Sequence, residues 1–238
     1  MSQIENPTRR SKRGETPQAR LALVAKAAFE CMSRHGFHRT QMADVALEAG
    51  LSPAALYTYA KGKEGLLTLA FLHVFDDELP ATPLPVAPLP MKKIIAMAHQ
   101  RISDVAQWPT LDAAIAADRA PDVATLRKIG AEVYDLLDAF REGIWLIDKL
   151  SLELPEFEKL QAEKVHGAFM GKLIALIGKW KAPGVVTDVA ARNAVEMMAW
   201  PAMHRHRDQW LIPQASEAQI RETAIRQYAA LLKATQKA

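Results

Sequence analysis

The sequence predicts an all-α protein, with a small N-terminal helical unit followed by a larger helical one. Two observations carry this. Apolar residues recur at three- and four-residue intervals through most of the 238 positions, with proline and glycine punctuating the runs. No stretch shows the apolar–polar alternation and tight turns of paired strands. Half of the residues are hydrophobic and 24% are charged, so the chain can bury a core of its own.

Taken in order, residues 1–16 read as a flexible basic arm carrying Arg9, Arg10, Lys12 and Arg13. A first helix is predicted over Pro17–His35, where Leu21, Val24, Ala25, Ala28, Phe29 and Met32 share one face and Gly36 ends the run. A second covers Gln41–Ala49, a short third Pro53–Tyr59, and a fourth starts near Lys63 with Leu66, Leu67, Ala70, Phe71, Val74 and Phe75. The Pro-rich segment 80–90 (PATPLPVAPLP) cannot continue a helix and reads as an extended connector. Beyond it, helices are predicted over Met91–Gln107, in a broken piece between Pro109 and Pro121, and over Val123–Leu150, Glu156–Trp180, Asp188–Arg207 (kinked at Pro201) and Ser216–Thr235. The expected division is 1–16 arm, 17–65 head and 66–238 body.

Charge is distributed unevenly. Up to Gly65 there are ten Lys/Arg against six Asp/Glu, and beyond it twenty against twenty-one. A basic head on a near-neutral body points to a polyanionic partner for the head, although a solvated basic tail gives the same balance. Cys31 is the only cysteine, so no disulfide framework exists within the chain, which suits a reducing cytoplasm. The longest apolar stretch, Gly65–Phe75, is too short to span a bilayer, and the N-terminus has no signal-peptide pattern; no membrane partner is expected.

The stretch Thr40–Lys63 (TQMADVALEAGLSPAALYTYAKGK) has the mechanics of a helix-turn-helix. Gly50 can take the left-handed conformation of a sharp turn, and Leu51 can plug the space between crossing helices. Ser52 is a good N-cap, and Pro53 fits the first helical position. Pro53, Ala54 and Ala55 are small enough for close approach to DNA, and Leu56 points to the core. Tyr57, Thr58 and Tyr59 offer hydroxyls to phosphates or base edges. Lys61 and Lys63 follow where a DNA backbone would lie. A plain helical hairpin in a bundle does not explain exposed tyrosines followed at once by lysines.

These residues carry a resemblance. Leu21–Phe75 is similar to the N-terminal domain of the TetR (tetracycline repressor) family of bacterial regulators. The similarity rests on Ala27-Ala28-Phe29, Gly36-Phe37, Thr40, Asp44-Val45-Ala46, Ala49-Gly50-Leu51-Ser52, Leu56-Tyr57-Thr58-Tyr59 and Lys63-Glu64-Gly65-Leu66-Leu67. It implies three helices in a reading head, a fourth leading to the body, and a C-terminal domain that dimerises and usually binds a small effector. Tyr57 and Tyr59 fall where the family contacts phosphates and bases, Lys63 on its phosphate-binding lysine, and Thr40 near another phosphate contact. With Gln41, Ser52, Pro53, Ala54, Ala55, Thr58 and Lys61, these make up the candidate DNA site. Three positions depart from the family pattern. Gln41 stands where Ser or Thr is common, Gly62 replaces a common Ser cap, and Ala60 replaces a common Phe, which should loosen packing under the reading helix.

Farther along, Leu146–Phe157 (LIDKLSLELPEF) resembles the family more weakly. The last two helices fall where the family builds a dimeric four-helix bundle. That implies an interface near Ala190, Ala194, Met197, Met198, Ile220, Ala224, Tyr228 and Leu231. Candidate effector-lining residues are Arg101, Trp108, Tyr134, Asp138, Arg141, Trp145 and Phe169, although aromatics at helical spacing are usually core. There is no Gly-rich phosphate loop, HExxH or Gly-x-Ser-x-Gly. His204 and His206 are two apart and diverge on a helix, and Cys31 and His35 lack companion ligands. No catalysis, metal or cofactor is expected. The function implied is a ligand-responsive regulator, usually a repressor, that binds a palindromic operator as a homodimer and is released by a small molecule. The alternative is a helical small-molecule-binding or protein-interaction protein with a non-functional reading head.

Overall fold

The computed structural model describes residues 16–75, 79, 83–162, 167–211 and 214–237. The arm expected over 1–16 lies outside them except for Thr16. The described residues form twelve α-helices and one 3₁₀ turn, in two compact units, residues 1–89 and 90–238.

The first unit holds α1 (Pro17–His35), α2 (Met42–Glu48), α3 (Pro53–Leu56) and α4 (Gly62–Phe75). Thr16 caps α1 by accepting the Ala19 amide at 3.2 Å, and Pro17 takes the first helical position. The predicted apolar face of α1 is buried against α4, where Leu66, Leu69, Ala70 and Phe71 are also fully buried. The boundary expected at Gly65 therefore falls inside α4. The unit extends to Leu89 because α4 completes the core of α1 and the chain then returns to α4.

That return is made by the Pro-rich segment, which is no free connector. The Val86 amide donates to the Tyr59 carbonyl at 2.8 Å, and the Lys61 amide donates to the Val86 carbonyl at 2.9 Å, forming one short parallel bridge. Three residues on, the Leu89 amide donates to Thr68 Oγ1 at 2.9 Å. The prolines keep this stretch extended, and an extended strand seeks partners for its amides. Residues 80–82 lie outside the described set.

The second unit holds α5 (Met91–Val105), α6 (Pro109–Ala116), α7 (Val123–Ala139), α8 (Arg141–Ser151), α9 (Pro155–Leu160), α10 (Ala168–Trp180), α11 (Thr187–Ala202), a 3₁₀ turn at His204–His206 and α12 (Glu217–Ala234). Two runs expected as single helices are broken. The Val123–Leu150 run turns at Phe140, whose backbone sits at φ −105° and ψ 10°. Neither glycine nor proline marks this break. The Phe140 ring turns onto Gly143, where a Cβ would lie 3.0 Å from a ring carbon, and Arg141 Nη1 donates to the Asp138 carbonyl at 2.6 Å. The Glu156–Trp180 run divides into α9 and α10 with wider, π-type turns at 161–162 and 167.

The core of this unit lies among α7, α10, α11 and α12, with Tyr228 at its centre. Gly130 of α7 lets α12 come close, since a Cβ there would meet the Tyr228 ring at 3.1 Å and Met198 at 3.3 Å. This corrects half of the expected interface. Ala194, Met198, Ala224 and Tyr228 are buried inside the chain because α7 covers the face of α12 that was expected to meet a second copy. Ala190, Met197, Ile220 and Leu231 stay partly exposed. Pro201 stands in the last turn of α11, and its carbonyl accepts Arg205 Nε at 2.5 Å and the Tyr134 hydroxyl at 3.3 Å.

Candidate nucleic-acid interface and effector cavity

The turn between α2 and α3 is built from backbone bonds that the sequence dictates. The Ala49 amide donates to Val45 O at 2.9 Å and the Leu51 amide to Ala46 O at 2.8 Å, closing α2 around Gly50 at φ 68°. Ser52 Oγ then accepts the Ala55 amide at 3.2 Å, and Pro53 begins α3. At the start of α2 the Gln41 amide donates to Asp44 Oδ2 at 2.9 Å. Gln41 thus caps α2 together with Asp44, and it is exposed.

The reading helix is shorter than expected. It ends at Leu56, and Tyr57–Tyr59 form a tight turn in which the Thr58 and Tyr59 amides donate three residues back, at 3.1 and 2.9 Å. Buried Leu56 and Ala60 pin the two ends of this turn. Its outer surface presents Ser52, Pro53, Ala54, Tyr57, Thr58 and Lys61, all exposed, with Tyr57 at 55%. Ala55 and Tyr59 are half-buried. Thr58 Oγ1 donates to the Ala55 carbonyl at 2.7 Å, which leaves its lone pairs outward.

Two expected phosphate contacts sit differently. Thr40 is 1% exposed, and its hydroxyl donates to the Gly36 carbonyl at 2.6 Å. It locks the α1–α2 turn and offers nothing to a phosphate. Lys63 is half-buried, donates to the His38 carbonyl at 3.1 Å and lies 4.8 Å from the Phe37 ring centroid. Its charge thus sits at the edge of the reading surface beside the 37–39 loop. That puts Lys63 beside a cation the sequence reading passed over, the exposed Arg39. Nothing local distinguishes Arg39, and only the Lys63–His38 bond puts it there.

Gly62 also differs from a Ser cap for a physical reason, since its φ of 73° is one a side chain rarely adopts. Cys31 is buried, and burial first, then Glu48 and Asp44, push its thiol up to about 11, so it stays protonated and unreactive.

Within the C-terminal unit, a cavity of about 380 Å³ opens between α5, α7, α8, α10 and α11. Val105, Trp108, Leu137, Phe140, Ile144 and Phe169 form much of its wall, with the Trp108 and Phe169 rings 4.5 Å apart. Asp148, Gln161, Arg192, Glu196 and His204 supply its polar rim; Gln161 Nε2 donates to Asp148 Oδ1 at 2.6 Å. Of the seven residues singled out from the sequence, Trp108 and Phe169 line it. Arg101 lines a neighbouring cleft with Gln107 and Glu132. The other four lie elsewhere. Tyr134 is core, bonded to Pro201 O, and Asp138 and Arg141 pair at 3.3 Å beside the helix break. The Trp145 ring is stacked under Arg207 at 4.0 Å. The sequence cannot separate these, because the break at Phe140, which no glycine or proline marks, decides which faces of α7 and α8 turn inward.

The description "Bacterial regulatory proteins, tetR family" fits residues 24–70, a span that takes in α2, the turn, α3 and most of α4. That N-terminal span is thus similar to the DNA-binding domain of the TetR family. No curated protein matches it in sequence. The whole chain has the TetR-family fold, as in the ketosteroid transcriptional regulator KstR2 of Mycobacterium tuberculosis. Identity to KstR2 is 14%, with 94% of this chain and 98% of that one covered, at a TM-score of 0.51. The fatty acid degradation regulator FadR of Bacillus halodurans aligns over 91% of this chain and 97% of its own, with 13% identity and a TM-score of 0.44. FadR of Bacillus subtilis, solved with stearoyl-CoA, aligns over 87% and 97%, with 15% identity and a TM-score of 0.43. The helix-turn-helix is thus of the kind described for bacterial regulatory proteins of the tetR family. No helix among its described residues is long and apolar enough to cross a membrane.

Proposed function

We propose that the protein is a ligand-responsive repressor that binds a palindromic operator as a homodimer and leaves it when a small molecule fills the C-terminal cavity. The observation that carries this reading is the outward surface of α3. Small side chains at Pro53 and Ala54 allow close approach to a groove, and Tyr57 and Lys61 stand exposed beside them on a turn whose backbone groups are already bonded. Two heads related by a two-fold axis read two half-sites, and the spacing of the heads is what an effector changes.

The dimer uses the outer stripe of the last two helices, Val189, Asn193, Met197 and Trp200 of α11 with Ile220, Gln227 and Ala230 of α12, each exposed or half-exposed at helical spacing. The effector is a small, largely apolar molecule, because aromatic and aliphatic side chains supply most of the cavity wall and the polar groups lie at its rim.

The test is selection of duplexes from a random library, followed by binding of the selected duplex at several salt concentrations. The wild-type protein is expected to enrich one palindromic sequence. Tyr57→Ala weakens binding to that sequence by about tenfold. Lys61→Ala weakens binding to all duplexes and lowers the salt slope by about 2 per dimer, one phosphate per head. Enrichment of no sequence, or wild-type binding in both variants, overturns the reading.

A further inference from the structure

The Pro-rich segment does more than join two units. Its Val86 is 4% exposed, and the two hydrogen bonds it makes fall on Tyr59 and Lys61, on either side of Ala60. Those three residues close the reading turn and lead into α4. The approach is possible because two neighbours are small. At Gly65 a Cβ would lie 2.7 Å from the Val86 carbonyl oxygen and 3.5 Å from Ala60. Ala60 itself is fully buried. The loosened packing that Ala60 implies, where the resemblance leads one to expect Phe, is thus made good from outside the head's own helices, by Val86. A second tie, from the Leu89 amide to Thr68 Oγ1, holds the end of the segment on α4. Immediately afterwards Pro90 caps α5.

We propose that residues 83–89 form a strap that positions the reading turn, with Val86 as the positioning residue. By fixing the carbonyl of Tyr59 and the amide of Lys61, the strap sets the angle at which Tyr57, Tyr59 and Lys61 meet a groove. It touches no DNA itself, and it affects recognition of a sequence rather than attraction to phosphates. The role rests on the DNA-reading function proposed above.

Gly65→Ala tests it in the full-length protein. Alanine is the better helix former inside α4, so the substitution favours the helix while its methyl group meets the Val86 carbonyl. Val86→Ala serves as the companion variant, because it keeps both backbone bonds. Three quantities are read for each: hydrogen exchange of a peptide covering residues 57–63, affinity for the duplex selected by the wild-type protein and for a scrambled duplex, and the thermal midpoint. In Gly65→Ala the exchange of that peptide is expected to rise about tenfold or more as the Lys61 amide loses its partner. Affinity for the selected duplex falls about tenfold while the scrambled duplex is bound as before. Val86→Ala shows a smaller change in both.

Wild-type exchange with wild-type preference for the selected duplex in Gly65→Ala overturns the strap. An equal loss on both duplexes with a lowered midpoint also overturns it, since that is the mark of damaged folding. A wild-type protein that selects no duplex overturns the DNA-reading function and this role together, whereas selection by the wild-type with an unchanged Gly65→Ala overturns the strap alone.

Discussion

The Tyr228 hydroxyl is buried without a hydrogen-bond partner among the described residues in the middle of the C-terminal core, and burial holds its phenol well above the usual range. A buried hydroxyl left unbonded costs stability, so Tyr228→Phe is expected to stabilise the protein by about 1 kcal/mol in denaturant titration. A loss of stability of that size would mean that the hydroxyl has a partner after all. The same residue shows what single positions in a sequence do and do not reveal. The stripe Ile220–Ala224–Tyr228–Leu231 announces a face that must be covered, but a face covered by a partner chain and one covered by α7 have the same pattern. Thr40 is a similar case. Its side chain suits a helix start and a phosphate alike, and only its bond to the Gly36 carbonyl decides between them.

Among the elements, the reading head was largely legible because its geometry is set by local chemistry. Gly50, Ser52 and Pro53 each have one conformational job, and the structure assigns each that job. Gly50→Ala is therefore expected to cost about 1–2 kcal/mol from backbone strain alone, measurable as a lowered thermal midpoint. A Cβ there meets nothing within 4 Å, so a larger loss would point to a cause other than the left-handed backbone. The break between α7 and α8 was not legible, because a bulky ring and an Arg–carbonyl bond make it without a breaker residue. The strap was not legible either. Its proline content forbids a helix, but its pairing with residues 59–61 depends on contacts some twenty-five positions apart in the chain.

For the whole molecule, the sequence's uneven charge and the division into two compact units agree in placing the basic surface and the apolar cavity in different parts of the chain. A single head with a four-residue reading helix offers little surface to bases, so in the proposed dimer operator affinity depends on pairing two heads. Linking two such modules raises binding by roughly 10²–10⁴ over one. Met197→Lys, placed on the half-exposed side of α11, is expected to shift the protein to monomers in sedimentation and to reduce operator binding by that order. A dimer that survives this substitution would move the interface to another face. The cavity was only partly legible at this scale. Trp108 and Phe169 lie far apart in the sequence and meet only once the helices around the cavity are packed, and the rim residues Arg192, Glu196 and His204 come from the Asp188–Arg207 run, part of which was read as interface.

The ring of Phe140 is shared by the cavity, by the neighbouring cleft and by the joint where α7 gives way to α8. It acts there as a wedge, resting on Gly143. An effector of the proposed kind, if large enough to push that ring aside, would withdraw the wedge and leave the bend to the Arg141–Asp138 bond. Under that reading, filling the cavity and the course of the main chain are tied to the rotation of one side chain, with no hinge glycine at the joint.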